Sequence, residues 1–349
     1  MATAGCGTHA ARIVDRRGGT VAQANVLTEV EWSRALDDTS TARVLIQPEG
    51  DCCERLGLLR SWRHQLVIFR DGVLVWTGPI IRAEWGLGQV EIFASDLSAW
   101  LAKRVPHASM ITFTDADLMT PAEWLIEDGF APDDPGHTVT VLGPARVKGS
   151  RTYTQDVGQT LDHLLDLAET GIDFTVVGSN FVLLPEDYMA SVGRLSDADF
   201  PEGLIVAEDG AALATRQVVA GDDEGDVLGT AGGVDDYYGL LEQYSEQTSI
   251  PDDASAEAAA KAKLRASSLA PVFIDTQEVT LSPQAAVDVT KLIPGWSLDI
   301  TSADTCRTVA QRLKIVGVKV REEGGTGDEP AAERVSVQVA ASGAEGTTV

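Results

Sequence analysis

The stretch "LVIFRDGVLVWTGPI", residues 66–80, consists of two apolar runs joined by Asp71-Gly72. A tight type I′ turn needs positive φ at both central residues, and glycine supplies it at no steric cost. Asp-Gly between apolar runs therefore predicts a two-residue β-hairpin. Arg70 and Asp71 are the only charges in the stretch, and charges beside a hairpin turn face water, so no chemistry is read from them.

The same β texture extends to both sides. "ARIV", "ARVLIQP", "HQLVIFR", "GVLVWTG" and "GQVEIFASD", between residues 11 and 100, are short runs rich in Val, Ile and aromatics, separated by Gly, Pro, Asp or Ser. In the last of them Val90, Ile92 and Ala94 alternate with polar neighbours, as a half-buried strand requires. The more polar "EVEWSRALDDT", near residues 29–39, fits either an irregular strand or one short helix.

Between residues 101 and 200 the texture becomes α/β. "TPAEWLIEDGF" has Pro121 at a first helical position after Thr120, and Gly129 follows its apolar run, the usual N-terminal Pro and C-terminal Gly asymmetry. "DVGQTLDHLLDLAETG" places Leu161, Leu164, Leu165 and Ala168 on one helical stripe, with Asp156 and Gln159 spaced like a capping box and Gly171 past the end. "IDFTVVGSNFVLLPE" follows as two strands around Gly178-Ser179-Asn180.

Residues 201–233 are acidic and Gly-rich. "SIPDDASAEAAAKAKLRASSLAP" then predicts a helix capped by Asp252 or Asp253, with Pro271 at its exit. Strands resume in "VFIDTQEVTL", "GWSLDITS", "RLKIVGVKV" and "RVSVQVA", and a small, polar tail, 341–349, is expected to be disordered. The fold class read from this order is α+β: two tube-like β domains of barrel or sandwich type, 1–100 and 201–340, with a small α/β module, 101–200, inserted between them.

Composition bounds the function. A chain of 349 residues exceeds a single small core, and 44% hydrophobic residues suffice to build more than one. With 53 acidic against 27 basic residues the net charge is −26. Such a surface repels nucleic acid and anionic membranes, which argues against DNA reading or membrane attachment, though it suits a conduit that DNA traverses without sticking. A salt-adapted proteome would carry the same charge. No apolar run approaches the roughly 20 residues that span a bilayer, and the N-terminus lacks a signal-peptide core, so a soluble protein is expected. Cys6, Cys52, Cys53 and Cys306 form no CxxC pair, which suits a reducing cytosolic compartment.

No motif in the sequence carries a recognisable chemistry. The five histidines, His9, His64, His107, His137 and His163, lack HExxH or HxH spacing, and His163 is expected to face water. "AGDDEGDVLGTAGG" resembles a calcium loop only superficially, since no Glu stands at the twelfth position from Asp222. There is no GxSxG elbow or Walker loop, and "GTAGG" lacks the setting of a phosphate loop. Carboxylates are too abundant for any pair to be informative. Trp32, Trp62, Trp76, Trp85, Trp100, Trp124 and Trp296 are spread singly, as core or inter-domain anchors are. No catalytic, cofactor-binding or metal-binding residue is assigned, and no cofactor is expected.

The order of "EVEWSRALDDTSTARVLI", "LVIFRDGVLVWTGPI", "TLDHLLDLAETGIDFTVVGSNFVLLPE", "YYGLLEQYSEQTSIPDDASAEAAAKAKL" and "LIPGWSLDIT" resembles the tail-hub minor tail proteins of long-tailed bacteriophages, over roughly residues 11–340. The resemblance implies a structural, non-enzymatic protein of the virion tail tip, assembled in the host cytoplasm. It implies a homotrimer whose β domains form a pseudo-sixfold ring, with Leu66–Ile80 in the wall, Trp76 buried or at a subunit seam, and the helix at 253–268 on the outside. Implied partners are a distal tail protein, a tape-measure protein, fibre or spike proteins, and double-stranded DNA passing through unbound. Family members often carry a long C-terminal hydrolase or receptor-binding extension; here those roles are expected of other tail-tip proteins. Two other readings are open: a virion carbohydrate-active or glycan-binding protein acting on the host wall, and an acidic cellular protein unrelated to phage.

Overall fold

The computed structural model describes residues 4–5, 7–24, 27–47, 55–200, 203, 205–208, 210–221, 226–267, 272–275, 281–282, 285, 287–303, 309–323 and 332–340. The four cysteines, residues 222–225 of the acidic loop, Pro271 and the tail 341–349 lie outside them.

Alternating apolar residues generate most of the chain's strands. The first seven are β1 (His9–Asp15), β2 (Thr20–Ala24), β3 (Glu29–Ala35), β4 (Thr41–Ile46), β5 (His64–Arg70), β6 (Val73–Gly86) and β7 (Gln89–Ser95). The Asp71-Gly72 hairpin is β5–β6: Arg70 pairs with Val73 across the turn, whose two residues have φ values of 50° and 78°. Segment 29–35, ambiguous in sequence, is a strand because Val30, Trp32 and Arg34 alternate into the interior. Val90, Ile92 and Ala94 face inward as expected.

Strand β6 is long enough to serve two partners, pairing with β5 through its first half and β7 through its second. Gly78 marks the crossing. A Cβ there would collide with the Ser95 carbonyl oxygen, so only glycine lets the backbones pass.

The middle of the chain supplies α1 (Ser98–Leu101), β8 (Met110–Asp117), α2 (Met119–Phe130), β9 (Thr138–Val141), β10 (Lys148–Thr154), α3 (Thr160–Ala168), β11 (Ile172–Val177) and β12 (Asn180–Pro185). Its own core gathers Leu101, Ile126, Phe130, Leu164, Phe174 and Phe181. Two local expectations are corrected. Helix α2 starts at Met119, so Pro121 is its third residue, and Gly129 lies within it, where a Cβ would press on Leu101 and Thr160; close helix packing explains this glycine, not chain termination. Helix α3 has Gln159 at its N-cap with no side-chain cap, so the Asp156/Gln159 box does not form. Asp156 and Gly158 instead take positive φ in the preceding turn.

The remainder contains β13 (Ser191–Ser196), β14 (Ile205–Glu208), β15 (Arg216–Ala220), β16 (Leu228–Gly232), β17 (Glu242–Glu246), α4 (Asp253–Ser267), β18 (Val272–Asp275), β19 (Ser297–Ser302), β20 (Val309–Glu323) and β21 (Ala332–Ala340). Asp252 caps α4, accepting the Ser255 N–H at 2.8 Å and its hydroxyl at 3.1 Å. The helix packs through Ala256, Ala259 and Ala260 onto the separate sheet β16-β15-β17, rather than onto the large sheet.

That large sheet has 13 strands in the order β14-β18-β21-β20-β3-β4-β7-β6-β5-β1-β2, with β19 joining β13 to β20. Its seam is β20 against β3, where Val320 pairs with Trp32 and Val318 with Arg34, so the β-rich ends of the chain share one sheet and one core. The class is α+β, and none of the described sheets closes into a barrel.

Candidate functional site

Several histidines and carboxylates are turned inward here and employed as fasteners. Among the described residues no cluster of His, Cys, Asp and Glu has the makings of a metal site. His9 accepts the Trp32 indole N–H on Nε2 at 3.1 Å, so its Nδ1 is the donor to Glu322, 2.5 Å away. His64 accepts the Arg60 backbone N–H at 3.0 Å, and burial together with Arg63 pushes its pKa down. His107 and His137 secure turns through Asp128 and Asp134. His163, expected to face water, is half-buried: Nε2 lies 2.9 Å from the Val157 carbonyl and the ring meets Tyr153 edge-on.

The buried carboxylates follow the same pattern. The Asp37 N–H donates to Phe174 O at 2.9 Å, and the Phe174 N–H returns to Asp37 Oδ1 at 2.7 Å. Asp37 thus clasps β11 from the β3–β4 turn. Lys314 of β20 donates to Asp173 Oδ2 at 2.5 Å and to the Glu186 carbonyl. Burial, then the neighbouring Asp173, raises the Asp37 carboxyl well above its ordinary range. Asp96, pushed up to about 6 by burial, accepts from Ser40 N, Ser98 N and Ser98 Oγ. Arg34, lowered to about 10 by burial, donates only to carbonyls, those of Val75, Thr290 and Leu292. These contacts tie separate elements of the fold together.

The tryptophans act as anchors, as their spacing suggested: Trp32 and Trp76 are fully covered, while Trp62 and Trp100 meet edge to face. Trp85 alone of the seven is exposed.

Among the described residues, two places present exposed apolar and charged side chains together. The first surrounds the tip of the β6–β7 hairpin, where Trp85 is 52% exposed and Leu87 fully so. The Trp85 indole donates to the Leu56 carbonyl, which brings Leu58, 62% exposed, alongside. Arg55, Arg60 and Arg63 are exposed in the same segment, and none forms an ion pair with a described carboxylate.

The second place is the connection from β16 to β17. Asp235 and Gly239 exchange backbone hydrogen bonds at 2.8 and 2.9 Å, and Asp235 Oδ1 accepts the N–H groups of Tyr237 and Tyr238, both at 2.8 Å. Those bonds lower the Asp235 pKa. The turn is therefore preorganised, and it holds the two tyrosine rings edge to face, with Tyr237 86% exposed. Leu240, Tyr244, Asp236, Glu242 and Glu246 continue the surface along β17, which is an edge strand. Sequence reasoning passed over both places. The tandem "YYGLL" in an acidic, glycine-rich segment was the available signal for the second.

By sequence, the chain matches no family model and no curated protein. Its fold matches solved structures of phage tail proteins. A tail protein from Neisseria meningitidis MC58 aligns over 97% of this chain and 97% of its own, at 10% identity and TM-score 0.64. The 43 kDa tail protein of prophage MuSo2 from Shewanella oneidensis aligns over 97% and 99%, at 12% identity and TM-score 0.60. Prophage tail protein gp18 from Listeria monocytogenes EGD-e aligns over 95% and 94%, at 12% identity and TM-score 0.56. The chain has the fold of these tail proteins from end to end. Among its described residues no helix is long and apolar enough to cross a membrane.

Proposed function

We propose that this protein is a structural hub of a phage tail tip, closing the distal end of the tail tube. The observation that carries the reading is the end-to-end likeness of fold to phage tail proteins, with both chains covered almost completely. Fold alone does not fix function, but the surface is consistent with assembly. Polar clusters are consumed in joining elements, while apolar and aromatic side chains stand exposed where a partner can cover them.

On this reading three copies form a ring. Segments 1–100 and 201–340 supply the tube-like parts and 101–200 a lateral module. Carboxylates lining the channel let DNA pass, because like charge across a narrow bore opposes attachment of the phosphate backbone. A net charge of −26 supports such a lining. The ring is also the docking platform for a distal tail protein, a tape-measure protein and fibre or spike proteins, and catalyses nothing itself. Assembly takes place in the host cytoplasm.

Light scattering across a range of protein concentrations, followed by electron-microscope class averages, tests the reading. A concentration-dependent threefold ring with a central hole wide enough for duplex DNA is expected. A strict monomer that binds cell-wall glycan would favour the carbohydrate-binding alternative.

A further inference from the structure

We infer that copies of this chain meet head to tail, the acidic tyrosine turn of one, Val234–Glu246, seated on the arginine and tryptophan surface of the next, Arg55–Arg63 with Trp85 and Leu87. The inference rests on the ring reading and deepens it by naming the contact. Two observations and the symmetry of a ring lead to it.

Each surface has the composition of an interface. Exposed aromatic and large aliphatic side chains ringed by charge are the pattern of a binding site, and a rigid display reduces the entropy lost on docking. The Asp235 turn provides that rigidity through its four hydrogen bonds. On the other surface the Trp85 indole is tethered to the Leu56 carbonyl.

The two surfaces are opposite in sign. Asp235, Asp236, Glu242 and Glu246 stand on the first, with Arg216 paired to Glu242. Arg55, Arg60 and Arg63 stand on the second without described ion-pair partners. In a chain with 26 more acids than bases, two copies repel on average. Exposed arginines with no described carboxylate partner are the surface where that repulsion reverses.

Ring symmetry then selects the arrangement. A twofold contact could also seat each tyrosine turn on the other copy's arginine surface, but it closes at two copies. A threefold ring requires the heterologous form, in which each copy offers its turn to one neighbour and its arginine surface to the other. Such contacts close into a ring when the rotation between copies permits.

Charge-swap variants of the full chain, followed by light scattering, test the contact. Asp236→Lys/Glu246→Lys and Arg60→Glu/Arg63→Glu each reverse one surface at exposed positions whose side chains take no part in the hydrogen bonds of the Asp235 turn. Each double variant is expected to dissociate at protein concentrations at least tenfold higher than the wild type, with an unchanged thermal melt. The quadruple variant, carrying both reversals, is expected to recover the wild-type oligomer. Leu87→Ser, at a fully exposed hairpin tip, probes the same surface without altering charge and is expected to weaken assembly. Double variants that assemble like the wild type overturn this contact and leave the ring standing. A wild type that is monomeric at every concentration overturns the ring and the contact together.

Discussion

Arg70 and Glu333 stand 263 positions apart and meet as a two-pronged pair, Nε to Oε1 at 2.6 Å and Nη2 to Oε2 at 2.7 Å. Both side chains are fully buried, so Arg70, expected beside the hairpin turn to face water, is turned into the interior instead, and Glu333 also accepts the Gly7 N–H at 3.0 Å. The pair ties the end of the first hairpin strand to the last strand of the chain. Removing one partner strands the other charge in the interior, which costs about 3–5 kcal/mol. Glu333→Ala and Arg70→Ala are each expected to lower unfolding stability by about that much in urea titrations. Replacing both with apolar residues, Arg70→Met with Glu333→Leu, is expected to cost much less than the sum. Additive losses would show that the two residues act separately.

Gly229 of β16 lies directly beneath α4, where an added Cβ would run into the backbone of Ala256. Backbone cannot rotate aside as a side chain can, so Gly229→Ala must lift the helix from its sheet. Overpacking of this kind costs about 1–3 kcal/mol. Amide exchange should accelerate in α4 and β15 before it does in β3 or β20. Gly233→Ala, with nothing within 4 Å of the new atom, is the matched control and is expected to be neutral.

The capping carboxylate of the same helix offers a smaller and separable effect. Asp252→Ala removes the acceptor for the Ser255 N–H and hydroxyl and is expected to cost about 1 kcal/mol, whereas Asp252→Asn is expected to keep most of the stability. Equal losses for Ala and Asn would point to the charge near the helix N-terminus as the stabilising feature.

Local signals were the legible part of this fold. Asp71-Gly72, the alternation in β7, the Gly178 turn and the cap of α4 are each decided within a few residues, by turn sterics or side-chain period. Long-range pairing was not legible. Nothing near Trp32 or Val320 says that their strands lie side by side, because an alternating strand specifies which face is buried and not its neighbour. Gly129 was misread for the same reason: its lack of a side chain answers to Leu101 and Thr160, both outside its helix. The exposed surfaces were hidden because exposure is a tertiary property, and Tyr237 or Leu87 in sequence reads as readily as core.

Asp166 provides the clearest pH dependence. Burial, opposed most by His163 and reinforced by Glu169, raises its carboxyl from 3.8 to about 6. A carboxyl raised on folding holds its proton more tightly in the native state between those values, so the unfolded chain binds fewer protons there. Stability from this group is therefore present below about pH 4 and falls as pH rises towards 6. At 1.36 kcal/mol per unit, with partial exposure discounted, the loss is about 1–3 kcal/mol. Asp166→Asn cannot titrate. Its stability relative to the wild type, from urea midpoints at pH 4, 5, 6 and 7, is expected to improve across that interval and then level off. Parallel curves for the two proteins across the whole range would place the proton elsewhere, on the Asp37 and Asp173 carboxyls, which burial also raises.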